Sequence, residues 1–195
     1  MVRVTREQAS ENREEIVLAA ARLFAERGPN GASISDLMRG LGRTHGGFYS
    51  HFRSKEEIVV AAIKRAFEES SAKLGSASDG DAEVPICRVL ESHYLEVVTE
   101  DGISGMCPSV IFAVDVSREP EGSSVREAFA AGLNELVQNL ISRSTEGVTT
   151  RSRILQAIMV AVGAALLSGA TLGDAVSDEL LNAARGELKS LLIDT

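Results

Sequence analysis

The amino-acid sequence predicts an all-α fold in two parts: an N-terminal three-helix unit built around a helix-turn-helix, then a larger helical domain, about nine helices in all. Three observations carry this. Apolar residues recur at the 3.6-residue helical spacing in segment after segment, with no strand alternation and no internal repeat. Aromatic residues are only 4% of a composition that is 44% apolar and rich in Ala and Leu, which suits packed helices. Capping residues and Gly or Pro stops divide the chain into a short arm (1–11), the helix-turn-helix unit with its linking helix (12–72), a loop (73–83) and the larger domain (84–195).

The arm, Met1 to Ser10, is polar, carries Arg3 and Arg6, and reads as a disordered or phosphate-touching tail. Asn12 and Glu15 form a capping box, after which Ile16, Ala20, Leu23 and Phe24 follow at helical spacing until Gly28-Pro29 stops the first helix. Ser33, with Asp36 three residues on, opens a short second helix whose Ile34, Leu37, Met38 and Leu41 share a face; Gly42 supplies its left-handed end. Thr44 then caps a third helix from about His45 to His51, with Phe48 and Phe52 inward and His45, Gly46, Tyr49 and Ser50 outward. Helices this short are not stable alone, so both must pack on the first. The competing reading, a Gly-Gly hairpin followed by a strand, finds no partner strand pattern nearby. Ser54 with Glu57 opens a longer linking helix through Ile58, Val59, Ala62, Ile63, Ala66 and Phe67, and Gly75 to Asp81 has the composition of a linker.

Beyond it, Pro85 sits in the first turn of a helix carrying Ile86, Val89, Leu90, Tyr94, Val97 and Val98, interrupted at Glu100 to Gly105. Pro108 starts another with Ile111, Phe112 and Val114, stopped at Glu119 to Gly122; Ser123 or Ser124 caps the next, with Val125, Phe129, Leu133, Leu136, Val137 and Leu140. Ile154 to Leu172 is the most apolar run and is long enough to raise the question of a membrane span. Gln156, Thr171, its Ser and Gly interruptions and its Ala content favour instead a helix with one face on its own core and the other on a partner subunit. Ser177 to Leu192 follows with Leu180, Leu181, Ala184, Leu188, Leu191 and Leu192.

The third helix presents small and hydrogen-bonding side chains outward, as a helix entering a DNA groove must. Gly46 and Gly47 each cost roughly 1 kcal/mol relative to Ala in a helix interior, and a steric reason offsets this: without side chains the backbone can approach phosphates and base edges closely. The formal charge of −8 looks wrong for a DNA binder until it is split. Residues 1–75 hold 12 Lys/Arg and 10 Asp/Glu, whereas residues 76–195 hold 8 and 18, so the acidity belongs to the larger domain. Arg39, Arg43, Arg53 and Lys55 cluster at the reading head.

The run Leu41-Gly42-Arg43-Thr44-His45-Gly46-Gly47-Phe48-Tyr49-Ser50-His51-Phe52-Arg53-Ser54-Lys55-Glu56-Glu57-Ile58 resembles the DNA-binding domain of TetR-type (TetR/AcrR) transcriptional regulators. It departs from the family pattern at Arg43, where a small apolar residue is usual, and at the double glycine Gly46-Gly47. The resemblance covers residues 12 to about 67 strongly and the rest in layout. It implies a homodimer held by the last two helices, residues 150–193, two recognition helices in successive major grooves of a palindromic operator, and repression relieved by a small-molecule effector. By the same resemblance Thr44, Tyr49, His51 and Lys55 meet phosphate, Arg43, His45 and Gly46 lie where base edges are read, Gly47 lies beside them, and Ser33 and Arg39 are weaker phosphate candidates. His51 has the alternative of a hydrogen-bonded packing residue.

Cys107, just before Pro108, would sit at a helix N-terminus, where thiolate is favoured. The resemblance extends to electrophile- and oxidant-sensing relatives with a cysteine near the corresponding position, so Cys107 is a redox-sensor candidate beside the quieter reading of a buried cysteine; Cys87 reads as core. His93, Tyr94, Phe112, Phe129 and Met159 are candidate lining for an effector pocket or, equally, core filler. No metal spacing, cofactor motif or catalytic constellation is present, so the sequence points away from an enzyme. With no signal segment, the expected compartment is the cytoplasm. The rival function is a helical protein-interaction module that does not bind DNA.

Overall fold

A computed structural model of the chain describes residues 6–76, 84–96, 107–143 and 150–192, and among them every regular element is helical. Helix α1 (Arg6–Gly31) starts earlier than the Asn12 signal implies. Residues 6–11, expected in an arm, are already helical, and acidic Glu7 in the first turn suits the positive helix end. Asn12 and Glu15 are thus inside the helix and form no cap. Ile16, Val17, Ala20, Ala21 and Phe24 make its buried face. At Gly28 the backbone turns to φ 70°, which breaks the regular helix where the Gly-Pro pair was expected to stop it.

Ser33 caps α2 (Ile34–Gly40) as its sequence predicts: its Oγ accepts the Asp36 amide at 3.0 Å, and the Asp36 carboxylate accepts the Ser33 amide at 3.2 Å. Gly42, at φ 66°, turns the chain toward α3 (His45–Phe48), which is shorter than the helix to His51 that was expected. The Gly47 amide bonds the Thr44 carbonyl at 3.0 Å, and the Thr44 hydroxyl, expected to cap, makes no capping bond. Helix α4 (Lys55–Ser76) is opened by Ser54, whose Oγ accepts the Glu57 amide at 3.1 Å, while the Glu57 carboxylate reaches the Arg53 amide at 2.7 Å. It runs past residue 73, where a loop was expected. Residues 77–83, and with them most of the expected linker, lie outside the described residues, as do Val97, Val98 and the interruption at 100–105.

Pro85 occupies the N-cap of α5 (Ile86–Leu90), which passes directly into a π-helical segment, α6 (Glu91–Glu96). Pro108 opens α7 (Pro108–Ile111), and a break at the fully buried Phe112 separates it from α8 (Ala113–Ser117). Ser123, not Ser124, caps α9 (Ser124–Ser142) by accepting the Arg126 amide at 3.3 Å. Thr150 caps α10 (Arg151–Ala170) in the same way, and α11 (Ala175–Leu192) completes the described chain. These are ten α-helical stretches and one π-helical one among the described residues. The excess over about nine comes from the splits at Leu90 and Phe112.

Helix α4 joins the two parts, lying on α1 at one side and on α9 at the other. The α4–α9 approach is close enough that a Cβ on Gly132 would fall 2.3 Å from the Phe67 ring. Helices α10 and α11 pack along each other with Ile154, Ala157, Ala161, Ala165, Leu181, Ala184 and Leu188 buried. By length and composition α10 could cross a membrane, but one of its faces is committed to this core.

Candidate nucleic-acid interface

The head is fastened from beneath by aromatics. Phe48 and Phe52 are buried and stacked, ring centroids 5.4 Å apart, against a core that includes Leu37, Met38 and Ile16. One turn of helix over that stack leaves His45, Gly46, Tyr49 and Ser50 exposed, as the periodicity implied. Tyr49 is 54% exposed and meets His45 edge to face at 5.4 Å. A Cβ at Gly46 would meet nothing within 4 Å, and one at Gly47 only ordinary contacts from Thr44 and Met38. Neither has a positive φ. The fold therefore does not require glycine at 46 or 47.

The remaining expected contacts divide. Thr44 is exposed and Lys55 is half-buried at the start of α4. Ser33 is exposed, but its hydroxyl serves the cap and donates to Asp36 at 2.5 Å. The same hydrogen bond is the main reason the Asp36 carboxyl lies below its usual range. Arg39 pairs with Asp36 at 3.1 Å while remaining largely exposed. His51 is half-buried, its pKa lowered first by burial and then by Arg43 and Arg13. That placement agrees with the packing reading better than with a phosphate contact.

Arg43 departs furthest from expectation. Its side chain is only 29% exposed, and its Nη2 donates to Asn12 Oδ1 at 2.8 Å and to Glu15 Oε2 at 2.5 Å. The guanidinium expected where base edges are read is turned back onto α1. Sequence reasoning missed this partnership because Asn12 and Glu15 have the spacing of a capping box. The same i, i+3 spacing inside a helix puts both side chains on one face, where they meet the Gly42 turn. Arg13 was missed too: it lies over the Phe52 ring at 4.6 Å and pairs with Glu57 at 3.7 Å.

In the larger domain the expected effector residues do not form one lining. Tyr94 and Phe112 are buried, Phe129 packs edge-on against Phe67 at 5.5 Å, and His93 bonds Ser70 Oγ at 2.8 Å. Met159 is 65% exposed on the outer face of α10 with Leu155, Leu166 and Leu167, so it does not line the interior. Cys107 is buried at the N-cap of α7, within hydrogen-bonding reach of Tyr94 Oη (3.3 Å), Ser109 Oγ (3.2 Å) and Ser70 Oγ (3.7 Å). Burial is the main cause pushing the Tyr94 phenol upward and the His93 imidazole down to about 4. No group of three or more metal-ligating side chains occurs among the described residues.

The fold and this surface define a class: helix-turn-helix proteins with a helical domain behind the head. The model of "Bacterial regulatory proteins, tetR family" matches residues 16–62, from α1 into α4. The chain is 35% identical over 100 residues to the HTH-type transcriptional regulator TtgR of Pseudomonas putida, a match spanning 51% of this chain and 47% of that protein. The chain thus spans about half the length of curated relatives such as this one. A TetR-family regulator from Cytophaga hutchinsonii superposes with a TM-score of 0.77 at 18% identity, covering 96% of this chain and 98% of that one. Another from Chloroflexus aurantiacus gives 0.71 at 26% identity, covering 94% and 95%. Residues 16–62 thus match the N-terminal domain of the tetR family of bacterial regulatory proteins, and the chain as a whole shares the fold of TetR-family structures.

Proposed function

We propose that the protein is a sequence-specific DNA-binding regulator of transcription, a repressor that leaves a palindromic operator when a small molecule binds the domain behind the head. The observation that carries this is the pair of glycines on α3. Each is unfavourable in a helix, neither is required by the interior, and both lie beside exposed Thr44, His45 and Tyr49. A backbone left bare for no internal reason suits close approach by an external partner, and a DNA groove needs that approach.

Symmetry is supplied by a homodimer through residues 150–193, in which exposed Leu155, Met159, Leu166 and Leu167 on α10 are covered. Two heads then meet successive major grooves on one side of the duplex. The effector acts in the domain of residues 84–170, where Tyr94 and Phe112 lie, by favouring a dimer shape whose heads no longer fit both half-sites. A thiol-reactive effector is a second form of the same reading, favoured by the position of Cys107. Its Sγ is hydrogen-bonded to groups on α4, α6 and α7, so modification there would disturb the helix that carries the head. The compartment is the cytoplasm, where such a thiol stays reduced.

Selection of bound sequences from random duplexes by the purified protein tests the reading. A recovered two-fold symmetric site, with affinity falling steeply as salt rises, is the expected result. No enriched sequence, with binding indifferent to salt, would leave the protein-interaction module in its place.

A further inference from the structure

On the reading of the head as a DNA-binding surface, we infer that Arg43 is a positioning residue, which together with Asn12 and Glu15 fixes the recognition helix against α1, and that it reads no base. Arg43 sits in the turn between α2 and α3, just after Gly42 and just before the N-cap Thr44. Its backbone amide bonds Met38 O at 2.8 Å, and its Nη2 reaches two acceptors on α1, at sequence separations of 31 and 28 residues. A four-residue α3 with no side-chain cap has little of its own to set its direction. The Arg43 clasp supplies that direction from one side and the Phe48–Phe52 stack from below.

The charges agree. To reach a base, the guanidinium would leave Glu15 uncompensated near a polyanion, giving up a charge-assisted pair to do so. Two more of the head's cations are also engaged: Arg39 with Asp36, and Arg13 with Glu57 and with the Phe52 ring. Among the described residues, Arg53 and Lys55 have no ion pair, and they flank the start of α4. Counterion release at this end of the head therefore falls to Arg53 and Lys55. Arg43 contributes orientation.

Because a single nitrogen makes both contacts, a lysine at 43 can serve in its place, whereas two-pronged recognition of guanine needs the guanidinium fork. The test uses full-length dimer and a duplex recovered by selection from random sequence, with variants R43K, R43A, E15Q and the swap E15R/R43E. R43K is expected within about threefold of wild type with the same selected bases. R43A and E15Q should each weaken binding roughly tenfold with the salt slope unchanged, and the swap should recover most of that loss. R53A or K55A should lower the salt slope by about one per contact. Relaxed preference at one base pair in R43K, or tighter binding by E15Q, would overturn the inference; failure of the wild type to select any site would instead sink the DNA-binding reading. Should R43A not fold, R43K and E15Q decide alone.

Discussion

The two ends of α4 use polar groups in opposite ways. At the head, Thr44, His45, Tyr49 and Ser50 face outward over a buried aromatic pair, and the ion pairs of Arg13, Arg39 and Arg43 lie at or near the surface. At the far end, Ser70, Tyr94, Cys107 and Ser109 are buried and bonded to one another. At the head the polar groups stay at the surface, Ser50 Oγ donating only to the neighbouring Gly47 carbonyl at 2.7 Å and His45 meeting only Tyr49. Polar groups that are satisfied inside hold particular helices in register. The head therefore keeps its polar groups outside, and the domain behind it satisfies its polar groups within.

The sharpest way to break the contrast is at Phe48. Its ring is fully buried, so F48A should cost about 3–5 kcal/mol in a urea unfolding series and abolish duplex binding. Its neighbour Tyr49 is 54% exposed; Y49A should change stability by less than about 0.5 kcal/mol yet still weaken binding. Equal loss of stability in the two variants would mean that the head has no separable outer face.

Next in size is the behaviour of His93 with pH. Its pKa falls from 6.5 to about 4 on folding, so the unfolded chain takes up a proton first as pH drops. The stability this neutral imidazole contributes is complete above pH 6.5 and is lost as pH falls toward about 4, up to about 3 kcal/mol. H93Q keeps a partner for Ser70 and removes the titration. Stability measured between pH 7 and 4.5 should fall more gently in H93Q, with His51, also lowered, leaving a smaller slope of the same sign.

A third test concerns the seam where α9 meets α4. At Gly132 an added methyl would overlap the Phe67 ring, so G132A should cost about 1–3 kcal/mol by overpacking. The same change at Gly46, where a Cβ meets nothing, should raise stability slightly and weaken duplex binding. A G46A protein that binds as well as wild type would remove the steric reason given for the bare helix.

How legible all this was depended on whether the decisive contact was local. The Ser33–Asp36 and Ser54–Glu57 caps, the left-handed Gly42 and the Gly28 break depend on neighbours within four residues, and all appear where the spacing puts them. The helical face of Phe48 and Phe52 is local too. The fate of Arg43 depends on Asn12, 31 residues away, and no periodicity reports on such a pairing. The same limit explains Met159 and Phe129: an apolar residue at core spacing looks alike whether it faces its own core, a neighbour's ring or the outside of α10. The π-helical turn after Leu90 left no signal, since its residues also fit an ordinary helix.

The smallest expected effect separates two roles of Ser33. Its Oγ accepts the Asp36 amide at 3.0 Å, and losing such a cap costs about 1 kcal/mol. S33A should therefore lower stability by about that amount, whereas S33N, which can accept the same amide, should hold it within a few tenths of a kcal/mol. If the cap is the whole role, duplex affinity measured well below the melting transition will be alike in S33A, S33N and wild type. If the hydroxyl also meets phosphate, both variants will lose affinity, including the one whose helix is intact. The pairing already seen favours the first outcome, because the hydroxyl proton points to Asp36 at 2.5 Å and that carboxylate would face any phosphate brought to the same spot.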